Sequence, residues 1–455
     1  MSKAGPSALP ARRLELAFQD LKPRYTEAQA RAEASRCLYC NDAPCIAACP
    51  TAINIPEFIR KIDTGNYRGS ARTILDANIM GYSCALVCPV EVLCVGACVY
   101  NHQDRPPIQI GLLQRFATEW AYERNVRYWK KGPPSGKRVA LVGAGPASLA
   151  CAHELTKLGH DAVCLEGRAL PGGLNTTGCA PYKIRSEGAL SEVDYVSGIG
   201  FEIRCGVEVG KDVSLGELER AYDAIFLGVG LGADSKLGIP GENLRGVFGA
   251  CELIERIKNE DAVREVSDAK KAVVVGGGNT AIDVARELAG LGLQVTQVYR
   301  RDSDSMGAYA HEQEYARKEA VSFRFLTQPI RYIGTDDRVT GVECVQMTWP
   351  ADKTGRPVAV AGSEHVIPAD VVAVATGQEK LIRELKRIPD LTILPDGRLR
   401  VDPATGRTGN PKYWAGGDCA NGGKEVVNAA AEGKKAARAI HSVLAGTKSS
   451  SGATG

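Results

Sequence analysis

Eight of the fifteen cysteines in this 455-residue chain fall between Cys37 and Cys98. They form two groups, Cys37-x2-Cys40-x4-Cys45-x3-Cys49 and Cys84-x3-Cys88-x5-Cys94-x3-Cys98, and a proline follows Cys49 and Cys88. Spacings this short let one turn aim several thiolates at one inorganic core. Structural zinc favours two separated C-x2-C knuckles, whereas four cysteines in one run that closes on Cys-Pro is an iron–sulfur arrangement. Two iron–sulfur centres are therefore expected, and their chemistry is one-electron transfer. In two-cluster ferredoxins the cysteine before proline ligates the other cluster. On that pattern Cys37, Cys40 and Cys45 share a centre with Cys98, and Cys49 crosses over to join Cys88 and Cys94. Either Cys84 or a residue that is not cysteine completes the second set.

Two glycine turns carry a different chemistry, the holding of a pyrophosphate. A buried strand from Arg138 leads into Gly143-Ala-Gly145-Pro146-Ala147-Ser148 and a helix through Leu158. Gly143 permits the tight turn, Gly145 lets a phosphate approach the backbone, and the helix N-terminus supplies N–H donors and positive dipole. Ser148 stands where the fingerprint has its third glycine. The next strand ends at Glu166, about 20 residues on, where a carboxylate accepts hydrogen bonds from a ribose. The same grammar recurs at Gly276-Gly-Gly278-Asn279-Thr280-Ala281, but there the following strand ends in Arg300 and Arg301. Guanidinium groups suit a 2′-phosphate that a carboxylate would repel, so the second site is expected to favour NADP(H) over NAD(H).

These groups need elements to hold them. Ile55 to Ala77 has helical apolar spacing broken near Gly65, and Ile110 to Tyr128 reads as another helix, so the cysteine-bearing region is expected to be α-helical. The connector Lys131-Gly-Pro-Pro-Ser-Gly136 ends it. Apolar strands at 224–230 and 370–377, the second closing on Gly377, end in small residues and look like entry and exit of an inserted unit. Beyond them Gly416-Gly417-Asp418 precedes an alanine-rich helix from Glu425 to Leu444, and Asp418 is placed to hold ribityl or pyrophosphate oxygens of a flavin. The expected fold is α/β, with two Rossmann-like dinucleotide-binding domains, one inserted in the other, behind a helical domain with two clusters. The expected domain limits are 1–134 for the clusters, 135–245 and 368–446 for the flavin fold, 246–367 for the nicotinamide fold, and 447–455 for a flexible tail.

Composition narrows the classes further. Lys and Arg total 56 against 53 Asp and Glu, which leaves no basic excess for neutralising nucleic-acid phosphates. No run of about 18 apolar residues is present and no apolar segment follows the first basic residues, so neither a membrane span nor a signal peptide is expected, and the expected location is the cytoplasm. The other seven cysteines, Cys151, Cys164, Cys179, Cys205, Cys251, Cys344 and Cys419, contain no C-x2-C or C-x4-C pair, unlike the redox dithiol of disulfide reductases. They are expected to be small core residues. His102 and His311 read as surface or packing residues. Lys183 and Arg185 either steady a flavin or sit in salt bridges.

Taken in order, the first cysteine group, Val142-Gly-Ala-Gly145-Pro, Pro171-Gly-Gly173-Leu174, Gly276-x-Gly278-x-x-Ala281 and Ala415-Gly-Gly417-Asp418 resemble the small subunit of glutamate synthase and the flavin half of dihydropyrimidine dehydrogenase. The resemblance covers about residues 20 to 445, with Ser148 and Met306-Gly307 departing from the usual glycine and Met-Pro. It implies FAD, a nicotinamide site and two 4Fe–4S clusters, one on Cys37, Cys40, Cys45 and Cys98 and one on Cys49, Cys88, Cys94 and Gln114. It also implies a hetero-oligomer without a catalytic proton donor in this chain. Segments 173–185 and 424–433 look more like the flavin subunit of bacterial dihydropyrimidine dehydrogenase, whose FMN-containing partner interconverts uracil or thymine and the 5,6-dihydropyrimidine. The alternative partner is the glutamate synthase large subunit. A redox-sensing nucleotide-binding protein without turnover is the reading from another class.

Overall fold

The computed structural model describes residues 9–351 and 355–446, so the expected tail at 447–455 lies outside the described residues. After an N-terminal arm, helices Glu27–Ala34, Ile55–Asp63, Tyr67–Ala77, Gly81–Val87 and Ile110–Glu123 build the first domain. Ile55–Asp63 forms because Phe58, Ile59 and Ile62 recur on one face, all fully buried, and because the Asn54 side chain accepts from Glu57 N at its start. Gly65, at φ +76°, turns the chain into Asn66, which caps the next helix. The last helix stops at Glu123, short of the expected Tyr128, where Asn125 takes φ +48°.

Fourteen strands, numbered along the chain, make three sheets among the described residues. β1 (Arg138–Val142), β2 (Asp161–Glu166), β3 (Glu202–Cys205), β4 (Ala224–Leu227) and the late β14 (Tyr413–Ala415) form a parallel sheet in the order β14-β4-β1-β2-β3. β5 (Val247–Gly249), β6 (Lys271–Val275), β7 (Gln294–Tyr299), β8 (Ser322–Phe325) and β13 (Val371–Val374) form a second one, β5-β13-β6-β7-β8. Both are covered on two faces, which is why β4 and β13 are buried at every residue. Between them β9 (Thr327–Thr335), β10 (Arg338–Thr348), β11 (Val358–Ala359) and β12 (His365–Pro368) pair antiparallel, a sheet the sequence reading does not contain.

One expected boundary needs correction. Residues 368–446 were assigned to the first fold, yet Val371–Val374 lies in the second sheet, with Val372 opposite Val247 and Val371 opposite Ala272. The inserted unit therefore keeps its exit strand, and the chain returns to the first sheet only at β14. There the long helix Val426–Leu444 packs on helix Pro146–Lys157 at Gly433, where a Cβ would lie 2.0 Å from Ala147 O. Among the described residues no helix is long and apolar enough to cross a membrane.

Candidate cofactor sites

A cavity of about 410 Å³ opens at the carboxyl ends of β1, β2, β4 and β14, where doubly wound sheets hold ligands. Gly145, Pro146, Ala147, Glu166, Gly173, Leu174, Gly417 and Asp418 all line it. Gly143 takes φ +92° and a Cβ there would sit 2.5 Å from Gly228 O, so the turn is closed to any side chain. At Gly145 a Cβ would meet nothing closer than Gly173 Cα at 3.9 Å, which leaves the backbone open to an approaching phosphate. Glu166 accepts hydrogen bonds from Ala144 N at 2.8 Å and Arg168 N at 2.9 Å, which fixes its carboxylate on the wall. Ser148 is fully buried beside Gly228, where a Cβ would come within 2.1 Å of the serine Oγ. Burial pushes the Asp418 carboxyl up, with the Lys424 N–H holding it partly back. Gly377 lies off this wall, which its neighbour Gln378 lines instead.

The second fold meets the same cavity. Asn279 and Thr280, which open the helix Asn279–Gly290, line it too. Gly276, at φ +146°, leaves only 2.3 Å between a Cβ and Ala375 O, whereas nothing lies within 4 Å of one at Gly278. Ala281 is fully buried under this turn. Arg300 and Arg301 follow β7 outside the cavity, and neither guanidinium has a hydrogen-bond or ion-pair partner among the described residues.

The eight clustered cysteines divide between two small cavities. Cys37, Cys40, Cys45 and Cys98 line one small cavity, while Cys49, Cys88 and Cys94 line another together with Cys84 and Gln114. Burial pushes the thiols of Cys37 and Cys94 up, and that of Cys45 to about 11, which disfavours their thiolates unless a cation binds them. Among the described residues no three His, Cys, Asp or Glu side chains converge on a single-ion site, whereas a four-iron core takes thiols spread around a cavity. Gln114 Nε2 donates to Gly81 O at 2.7 Å, and the Cys84 sulfur accepts from Asn78 Nδ2 at 3.1 Å. Val87 and Pro89, on either side of Cys88, also line the large cavity, so one turn of chain walls both sites.

Several buried charges carry no sequence motif. Lys183, left between two roles by its sequence, sits at the cavity wall with Asp283 and Glu312 of the second fold, each at 2.7 Å. Arg185 donates to Phe18 O at 2.6 Å. Lys258, fully buried, donates to the carbonyls of Asn175, Cys179 and Ile184. Glu192 of the flavin fold accepts from Tyr82 N and Ser83 N, at the start of helix Gly81–Val87. His102 is exposed, but His311 bridges to Glu91 of the cluster domain at 3.5 Å. Cys151, Cys164, Cys344 and Cys419 are buried, while Cys179, Cys205 and Cys251 are partly exposed.

Residues 137–433 match the family described as pyridine nucleotide-disulphide oxidoreductase, and residues 14–126 match dihydropyrimidine dehydrogenase domain II, 4Fe-4S cluster. The chain belongs to the pyridine nucleotide-disulphide oxidoreductases. Within that family it is 35% identical to the glutamate synthase [NADPH] small chain of Escherichia coli K12 over 97% of both chains. It is 34% identical to the NAD-dependent dihydropyrimidine dehydrogenase subunit PreT of Escherichia coli O157:H7, over 94% of this chain and 98% of that one. Thioredoxin reductase of T. acidophilum superposes with a TM-score of 0.55 at 22% identity, covering 68% of this oxidoreductase and 99% of that chain, a likeness of fold.

Proposed function

We propose that this oxidoreductase is the electron-input subunit of a larger enzyme, passing electrons between NAD(P)H and a partner polypeptide. The observation that carries the reading is the shared wall at Val87–Pro89, which puts a dinucleotide cavity against a cysteine-lined one. Gly143, Gly145 and the helix starting at Pro146 hold the pyrophosphate of FAD, Glu166 its ribose, and Gly417 with Asp418 the ribityl side. Gly276, Gly278, Asn279 and Thr280 orient the nicotinamide dinucleotide, and Arg300 with Arg301 selects the 2′-phosphate of NADP(H). Cys37, Cys40, Cys45 and Cys98 hold one 4Fe–4S cluster, and Cys49, Cys88, Cys94 and Gln114 the other. A flavin bound there would supply the chemistry that links two-electron hydride transfer to one-electron transfer. No side chain of this chain has to donate a proton for hydride transfer.

For the acceptor, segments 173–185 and 424–433 favour an FMN-containing subunit that interconverts uracil or thymine and 5,6-dihydropyrimidines. A second reading, the glutamate synthase large subunit, is favoured by the near full-length similarity to a glutamate synthase small chain. Anaerobically purified protein is expected to carry flavin and acid-labile sulfide, to be bleached by NADPH, and to reduce an artificial acceptor steadily. A colourless protein would overturn the reading, and a loaded protein that neither NADPH nor NADH bleaches would favour redox sensing without turnover. Mixing with each candidate partner decides the acceptor. Arg300→Ala with Arg301→Ala should raise KM for NADPH at least tenfold more than for NADH, and equal effects would refute the arginine assignment.

A further inference from the structure

Lys22 belongs to no motif. It lies on the N-terminal arm, and that arm is strapped down on both sides of it: Leu21 N donates to Tyr182 O of the flavin fold at 2.7 Å, and Arg115 of helix Ile110–Glu123 donates to the Lys22 carbonyl. The side chain turns inward. Its Nζ donates to Cys88 O at 3.0 Å and to Ala85 O at 3.2 Å, and a Cβ built at Gly111 would be 3.8 Å from it. The ammonium therefore sits where the cysteine-bearing helix Gly81–Val87 ends, one turn of helix before Gln114, and beside the turn that separates the two cavities.

Burial lowers the pKa of this ammonium, while Cys88, Glu91 and Cys94 raise it and Lys183 lowers it. Both cysteines belong to the second set and neither to the first. We infer that Lys22 sets the reduction potential of the centre built on Cys49, Cys88 and Cys94, favouring its reduced form and so drawing electrons out of the flavin cavity; this rests on the function proposed above. Each transfer moves one electron, so the centre gains one negative charge as the flavin loses an electron. The two electrons of one NAD(P)H leave in two such steps, with one proton released. A fixed positive charge in a low-dielectric wall stabilises the more negative product, and net charge and hydrogen bonding are among the levers that set cluster potentials. Glu91, which His311 approaches at 3.5 Å, supplies a negative charge that opposes it.

The simpler role for Lys22 is a cap on the last carbonyls of a helix. Three substitutions separate the two. Lys22→Gln keeps a donor for Cys88 O but removes the charge, Lys22→Arg keeps the charge, and Glu91→Gln removes the opposing charge. EPR-monitored redox titration of the holoprotein is expected to show one of two cluster midpoints moved to lower potential in Lys22→Gln, restored in Lys22→Arg, and moved upward in Glu91→Gln. Midpoints unchanged in Lys22→Gln, or both displaced equally, would overturn the inference and leave a cap. A wild-type protein that binds flavin yet shows no second cluster would overturn the proposed function along with it.

Discussion

At Ser148 the flavin fold carries a hydroxymethyl group where its fingerprint has hydrogen, and Gly228 at the facing strand end makes the space. The substitution is an exchange across an interface, so neither partner is explained alone. Gly228→Ala would drive a Cβ to 2.1 Å from Ser148 Oγ. Overpacking of this kind costs about 1–3 kcal/mol. The expected result is a lower thermal midpoint and a lower FAD-to-protein ratio, with Ser148→Gly in the same chain restoring both. Additive losses in the double variant, measured by thermal melting and flavin absorbance, would show that the two residues do not share the space.

Helix Gly81–Val87 shows the same dependence one level up. Its start is held by Glu192 of the flavin fold and its end by Lys22 of the arm, so two other parts of the molecule satisfy its terminal N–H and C=O groups. Burial pushes the Glu192 carboxyl up to about 7, against the pull of the Ser83 hydroxyl and N–H. An unfolded glutamate ionises at about 4.3. The stability gained from the protonated form is thus fully present below that value and is lost as pH rises through about 7. Wild-type protein should lose thermal stability relative to Glu192→Gln between about pH 5 and pH 8. Parallel melting curves across that range would refute it. Elements with local signals were legible in the sequence: glycine turns, helices with apolar spacing and the cysteine spacings. The exit strand Val371–Val374 was legible as a strand but not as a member of the second sheet, because an all-buried run does not say which neighbours it pairs with. The antiparallel sheet could have been found from the alternating burial along β9 and β10. Lys22, Glu192 and Lys258 could not, since a lone charge has no spacing to read.

In the whole molecule the two α/β folds and the helical domain differ in what holds them. The sheets close their own hydrogen bonds, whereas the cysteine cavities of the first domain need a core to bind the thiolates. Stripping iron with a chelator and oxidant should therefore open residues 9–130 to limited proteolysis first, leaving a fragment near 137–446 with its flavin. Simultaneous cleavage throughout the chain would refute that order. The arm adds a constraint in time. Arg12 pairs with Asp261, Arg13 with Glu187, Leu21 N with Tyr182 O and Lys22 with Cys88 O, so residues near the start touch all three domains. During synthesis this arm leaves the ribosome before most of its seats exist. Closure of the molecule must therefore wait until the chain has been made past Asp261, and iron that arrives earlier meets a nascent cysteine domain whose arm is still unfastened.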